Sequence, residues 1–353
     1  LVVDTGGTTF DVSLIRSGEV KFTRETWIGP QFYGHNLGLS SVDVRSVGAG
    51  GGSIAWIDPG GLLKVGPQSA GAMPGPACYG KGGLEPTVTD AAVALGYINP
   101  EQFLGGRMPL DTDAAKAAVK KISDDLETSI DDAAFSIMRI ASESMIKAIE
   151  EITIHEGVNP RESIIVAGGG AAGLNILPIA SALGCKQVLL PKTAGALSAC
   201  GAQYSDVVAE FSASQYLRTD HWDAMLADQT LTDLDSQMEK FSEGLRSRGI
   251  TQFEKRFFVD ARYLNQQWET EIILPKLNFA EEDTLQKLVE EFHRTHERLY
   301  GVKEDDGLLE CLHWKGRLVA KLDRPQPSDF SASVRQFSGS ADSLNMYFGK
   351  GKR

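Results

Sequence analysis

The stretch LVVDTGGTTFDVSLI, residues 1–15, constrains the chain more than any other. An apolar run enters a turn that places a carboxylate, two glycines, two hydroxyls and a second carboxylate between Asp4 and Asp11, and a second apolar run leaves it. An ordinary hairpin asks only for a dipeptide such as Asn-Gly between alternating strands. Glycines at this turn let backbone N–H groups converge on one concavity, a nest that suits phosphate oxygens. Thr8 and Thr9 add hydroxyl donors. Asp4 and Asp11 flank the turn, where they would orient Mg2+ through water or position a nucleophile. The same residues would also serve a tight turn whose Asp and Thr side chains satisfy its own backbone.

A second glycine turn runs from Ala167 through Gly168, Gly169 and Gly170 to Ala171, Ala172 and Gly173. It lies between the apolar run IIVA and a helical stretch, with VLLP beyond, so a β-turn-α-β unit of parallel-sheet character is expected. Glycine backbone there can pass under a nucleotide while the helix N-terminus faces an anion. G-G-G-x-x-G alone is unspecific, because close strand–helix packing also demands glycine. Its pairing with the first turn, across a long helix, carries the inference.

The segment between the turns is ordered by its own signals. LVVD, DVSLIRSG and EVKFTRETW read as strands, with Ser17-Gly18 as a turn. Residues 47–86 are dense in Gly and Pro yet contain SIAWI and LLKVG, which marks a folded insert with two short strands joined by Asp58-Pro59-Gly60-Gly61. TVTDAAVALGYI starts on an N-cap at Thr87 or Thr89, and DTDAAKAAVKKISDDL is an exposed helix. In DDAAFSIMRIASESMIKAIEEITIHEG, Phe135, Met138, Met145, Ile149 and Ile152 recur at helical spacing before Gly157. From about residue 215 the glycine turns cease. A polar helix, the strand run RFFVDARYLNQQWETEIILP, the helix EEDTLQKLVEEFHRTHERLYG and a further strand in LLECLHWKGRLVAKLD read as an α+β accessory domain, 216–353, after a first domain of 1–215.

Composition sets limits. At 353 residues, 42% hydrophobic and 23% charged, the chain has room for two or three domains. A net charge of −12 argues against nucleic acid or an anionic membrane surface as a partner. The four cysteines are scattered, with no CxxC, as expected of reduced thiols in a cytoplasmic protein. The chain begins inside a strand and stops just after another, so a piece of something longer is expected.

DTGGTTFDV followed by VAGGGAAG resembles the second phosphate motif and the adenosine motif of the actin/Hsp70/sugar-kinase ATPase fold. VGAGGGSIAWIDPGGLLKVGPQSAGAMPGPACYGKGGLEPTVTDAAVALGYI closely resembles the hydantoinase A/5-oxoprolinase family, which includes the nucleotide-binding subunits of acetone and acetophenone carboxylases. PKTAGALSACGAQYSDV is similar to the same family. The resemblance implies an α/β fold, the second half of an actin-like ATPase domain, with a smaller α+β domain attached. It implies ATP and Mg2+, and a small carbonyl substrate activated by O-phosphorylation. It also implies a larger hydantoinase B-like partner and an upstream ATPase half that this chain does not contain. Asp4 and Asp11 would be catalytic and serve the metal, with Gly6, Gly7, Thr8 and Thr9 on the phosphates. Gly168, Gly169, Gly170 and Ala171 would lie beside the adenosine. Between ketone carboxylation with bicarbonate and cyclic-amide hydrolysis, the overall likeness leans to the former. A catalytically silent scaffold of the same fold is the alternative from another class.

Further candidates carry two readings each. The glycines in 48–53 would form another phosphate or partner loop, or a packed turn. Asp90 would face the site or complement a helix dipole. Cys78 has no His near in sequence to act as base, so burial is expected. His155 suits a helix C-terminus. His293 and His296 are spaced to chelate, or to lie on a solvated face. Glu143 and Ser144 sit near an apolar helix face. Asn175 stands where family members commonly have histidine, which puts histidine-dependent chemistry there in doubt.

Overall fold

The structure, a computed structural model, describes residues 1–16, 18–23, 27–28, 34–36, 41–275, 277–323 and 346–349. Its contacts divide the chain into two units, Leu1–Gly201 with Phe330–Arg353, and Ala202–Asp329. The change of character that the sequence places near 215 falls inside a long strand of the second unit, so the contact division lies earlier.

The first unit is built on a five-stranded sheet. β1 (Val2–Thr5), β2 (Phe10–Ser13) and β3 (Val44–Val47) form an antiparallel meander. The insert follows as a hairpin of β4 (Ser53–Ile57) and β5 (Leu63–Ser69). Asp58 Oδ1 accepts from the N–H groups of Gly60 and Leu62, both at 2.9 Å, which explains the Asp-Pro-Gly-Gly turn. Helices α1 (Val88–Ala94), α2 (Thr112–Asp125) and α3 (Ile130–His155) come next, capped by Thr87, Asp111 and Ser129. β6 (Ile164–Gly168), α4 (Ala172–Leu183) and β7 (Gln187–Leu189) then complete the expected β-α-β unit. The sheet order is β7-β6-β1-β2-β3, with β6 and β7 parallel to β1.

Alternation decides the faces. Val3, Phe10, Val12, Ile165 and Ala167 are buried with Met145, Ile149 and Ile152 of α3 and Ile176, Ile179 and Leu183 of α4. Each such large side chain contributes about 1.5–3 kcal/mol by leaving water. A second core lies beneath the insert, where Ala55 packs with Val88, Ala91, Ile122 and Ile137. EVKFTRETW is not one continuous strand: the described part shows only two-residue ladders at Glu19–Val20, Phe22–Thr23 and Trp27–Ile28. Ser17 lies outside the described residues, while Gly18 has the positive φ of 81° that the Ser-Gly turn requires.

Helix α5 (Leu197–Tyr204) contains the division, and the second unit begins within it at Ala202. There β8 (Val207–Arg218), β9 (Gln252–Tyr263), β10 (Thr270–Ile273) and β11 (Leu309–Lys321) form an antiparallel sheet in the order β8-β11-β9-β10. The strand run at RFFVDARYLNQQWETEIILP is thus two paired strands, because Asn265 turns the chain at φ 72°. Helices α6 (Ala224–Arg246) and α7 (Thr284–Tyr300) bury Leu234, Met238, Leu288 and Phe292 in one core with Trp314, Val259 and Ile272. β8, unread in the sequence, pairs along β11, with a register shift between Ser214 and Leu217.

Candidate active site

β1 is the strand on which the site turns. Asp4 lies opposite Asp11 on β2 and beside Gly168 on β6, and Asp11 lies opposite Ser46 on β3. Residues directly opposite share a face, so both carboxylates and Ser46 project from the side of the sheet away from α3 and α4. Like charges so placed repel each other. Hydroxyls temper this: Ser198 donates to Asp4 Oδ2, Ser46 donates to Asp11 Oδ1, and Thr9 Oγ1 donates to Asp11 Oδ2 at 3.2 Å.

The turn between the strands is held from one side. The Gly6 N–H donates to Thr9 O at 2.9 Å and closes it. Gly51 N–H donates to Gly6 O at 3.0 Å and Gly52 N–H to Gly7 O at 2.6 Å, so two successive carbonyls of the turn point into the 48–53 loop. In a trans peptide the C=O and the following N–H point in opposite directions. The N–H groups of Gly7 and Thr8 therefore project together away from that loop, at residues that are exposed. Two adjacent donors so aligned form an anion cradle. Thr8 Oγ1 meets Ser69 Oγ at 3.3 Å beside it.

The 48–53 loop is a buttress and not a second phosphate loop, since residues 49–53 are all buried. A Cβ on Gly50 would sit 2.8 Å from each of Gly6 O, Gly7 C and Thr8 N, so only glycine allows this approach. Thr89 fixes the loop from behind, donating from N and Oγ1 to Gly51 O at 2.8 and 2.7 Å.

The second glycine turn abuts the first. Ala171 N–H donates to Thr5 O at 3.0 Å, and Gly169 N–H donates to Ala194 O at 2.8 Å. Gly169 has φ +95°, and a Cβ there would lie 2.2 Å from Thr5 O. A Cβ on Gly168 would meet Leu197 at 2.5 Å, whereas one on Gly170 would meet nothing within 4 Å. Packing thus explains the first two glycines, and Gly170 borders open space. The glycines of 48–53 take the packed-turn reading of the two the sequence offered, while Ser46 and Ser198 are the members of this constellation that sequence reasoning missed. Nothing in their local spacing signals contact with Asp4, Asp11 or the turn.

The other candidates resolve structurally. Asp90 is fully buried and accepts from the N–H groups of Ala77, Cys78 and Thr87 and from Thr87 Oγ1, a capping box extended to a neighbouring loop. Cys78 is buried beside it, and burial together with the Asp90 charge pushes its thiol far up, away from nucleophilic use. Ser144 Oγ donates to Ile140 O within α3, and Glu143 lines a groove of about 830 Å³ with Tyr97, Phe135, Leu174 and Leu177. Asn175 is buried, its Nδ2 donating to Ser142 Oγ at 2.8 Å, and its Oδ1 has no partner. His293 Nδ1 lies 2.6 Å from Tyr263 OH and His296 Nδ1 lies 2.8 Å from Val302 O, so the two rings are not a chelating pair. The His155 side chain lies outside the described residues. Among the described residues no group of three or more His, Cys, Asp or Glu side chains could hold a metal. None of the described helices is long and apolar enough to cross a membrane.

Comparison with known proteins identifies relatives along the chain. The Hydantoinase/oxoprolinase family model matches residues 1–211. The chain is 35% identical over 347 residues to caprolactamase subunit alpha of Pseudomonas jessenii, covering 95% of this chain and 48% of that protein. It is 37% identical over 256 residues to the acetophenone carboxylase gamma subunit of Aromatoleum aromaticum, covering 70% and 34%. The crystal structure of ATP-dependent caprolactamase from Pseudomonas jessenii superposes with a TM-score of 0.75 at 36% identity, over 92% of this chain and 47% of that one. The chain spans about half the length of the first of these relatives and about a third of the second. With 211 residues matched by the family model and both units matched by a relative, the chain belongs to the hydantoinase/oxoprolinase family.

Proposed function

We propose that the chain carries the nucleotide-binding part of an ATP-dependent enzyme that activates a carbonyl compound. The observation that carries this reading is the cross-strand pair Asp4–Asp11 set beside two parallel N–H donors, those of Gly7 and Thr8. The sheet order β7-β6-β1-β2-β3, a three-stranded meander extended by two parallel strands, supports an actin/Hsp70/sugar-kinase-like fold. On this reading the Gly7 and Thr8 N–H groups and the Thr8 and Thr9 hydroxyls bind phosphate oxygens, while Gly6, whose N–H is taken by Thr9 O, closes the turn that holds them. Gly170, bordering open space between Gly169 and Ala171, flanks the adenosine.

Mg2+ fits the donor set. Two adjacent carboxylates held by hydroxyls of Ser46, Ser198 and Thr9 suit a cation that keeps most of its waters and is held by one or two carboxylates plus phosphate. Asp4 and Asp11 would hold it, and bound there it would neutralise charge developing on the transferred phosphoryl group. The chain's residues supply the rest: the cradle orients the phosphates, and its fixed donors need no rearrangement during transfer. Phosphorylation of a carbonyl oxygen makes it a better leaving group.

For the carbonyl compound, a cyclic amide is the first reading. The match to a caprolactamase subunit runs through both units of this chain at 35% identity. Ketone carboxylation with bicarbonate, towards which the sequence leaned, is the second, supported by 37% identity over 256 residues to an acetophenone carboxylase subunit. Relatives named as subunits support a further, hydantoinase B-like partner, with the upstream ATPase half contributed by another segment.

The test uses the complete native assembly containing this chain, following Mg2+-dependent ATP cleavage with lactams, hydantoins and ketones, each with and without bicarbonate. Cleavage driven by a cyclic amide regardless of bicarbonate is expected. Cleavage that needs a ketone and fixes bicarbonate carbon would establish the second reading. Turnover that survives Asp4→Ala in an intact assembly would make the chain a scaffold.

A further inference from the structure

Asp4 and Asp11 are not equivalent. Both oxygens of Asp11 accept a hydroxyl, Oδ1 from Ser46 and Oδ2 from Thr9. Asp4 accepts one, from Ser198 to Oδ2. Ser198 also belongs to a segment with a second anchor. Ala194, four residues before it, accepts the Gly169 N–H at 2.8 Å, and Leu197 packs where a Gly168 Cβ would stand. Within Ala194–Ser198, then, one end is tied to the second glycine turn and the other to a carboxylate of the first.

From this asymmetry we infer that Ser198 is a positioning residue: by holding Asp4 Oδ2 it fixes that carboxylate and leaves Oδ1 as the oxygen it offers to a divalent cation, while Asp11 joins with an orientation already set by hydroxyls at both oxygens. This rests on the proposed nucleotide site but concerns the carboxylates alone. A hydroxyl donor to an ionised carboxylate is a charge-assisted bond that fixes its rotation about the Cβ–Cγ axis. Losing such an outer partner typically costs about 10–100-fold in metal affinity. The Ser46 contact is different in kind, because Thr9 still holds Asp11 when it is removed.

The test is Mn2+ binding to the purified native assembly, read by electron paramagnetic resonance of free Mn2+, with and without a non-hydrolysable ATP analogue. Wild type, Ser198→Ala, Ser198→Thr and Ser46→Ala are compared, with thermal unfolding as the control for folding. Ser198→Ala is expected to weaken Mn2+ about 10-fold, Ser198→Thr to restore it, and Ser46→Ala to change it less than 3-fold. Equal weakening in Ser46→Ala, unchanged affinity in Ser198→Ala, or no Mn2+ bound by wild type would overturn the inference. ATP cleavage by the same wild-type sample reports separately on the proposed function, since the metal titration without nucleotide does not depend on turnover.

Discussion

Gly50 shows how much one missing Cβ can matter. Its Cα passes so close to the Gly6–Thr9 turn that any side chain must displace Gly6–Thr8, and with them the outward N–H groups of Gly7 and Thr8. Gly50→Ala is therefore expected to destabilise the first unit by about 1–3 kcal/mol through overpacking. It should also weaken binding of an ATP analogue by roughly tenfold, the loss of about one charge-assisted hydrogen bond. Calorimetric titration of the assembly with the analogue checks this, and unaltered affinity would remove the buttress role. Gly170, with open space around its Cα, is the control position: alanine there should leave stability unchanged. The sequence shows glycines at both positions alike, and it is the neighbouring backbone that separates them.

At the scale of an element, the start of α1 is held by a single buried carboxylate. Asp90 gathers three N–H groups and one hydroxyl in a fully buried site and ties Ala77–Cys78 to the helix. Asp90→Ala would leave those donors without their acceptor, at about 1–3 kcal/mol for each that finds no replacement. A total loss of about 3–5 kcal/mol in chemical denaturation is expected. A loss below 1 kcal/mol would mean that water or backbone movement replaces the carboxylate. Local capping was legible from T-V-T-D, because a capping box is a short-range pattern. The reach of Asp90 to Ala77 and Cys78 was not, since a helix start carries no mark of which loop will fold back on it.

On the scale of the whole molecule, each unit has its own core and its own buried thiol. Cys78 lies in the first unit and Cys311 in the second, and burial pushes Cys311 up to about 12. Because the thiolate is the reactive species, both thiols stay protonated and shielded at pH 8. Neither should react with an aromatic disulfide reagent in the native protein. Each should become reactive as its own unit unfolds, so two cysteine-specific labelling curves against urea would report the two units separately. Rapid labelling of either in the absence of denaturant would show that its core opens locally.

The sequence by itself determined the strand–turn–strand with its two acids, the GGG turn in a β-α-β unit, the long helix α3, the insert hairpin and the family. All of these follow from short-range periodicity, glycine and proline chemistry, and motif wording within a few tens of residues. Only the tertiary structure decided that Asp4 and Asp11 stand opposite each other, that Gly50–Gly52 aim the Gly7 and Thr8 donors, and that Ser198 reaches Asp4 across 194 positions. It also placed the division of the chain at Gly201, because β8 pairs with a strand some hundred residues later. The physical reason is the same in each case. A hydrogen bond is specific only to a donor and an acceptor, and which pair meets is set by the packing of the sheet and not by anything either residue carries alone.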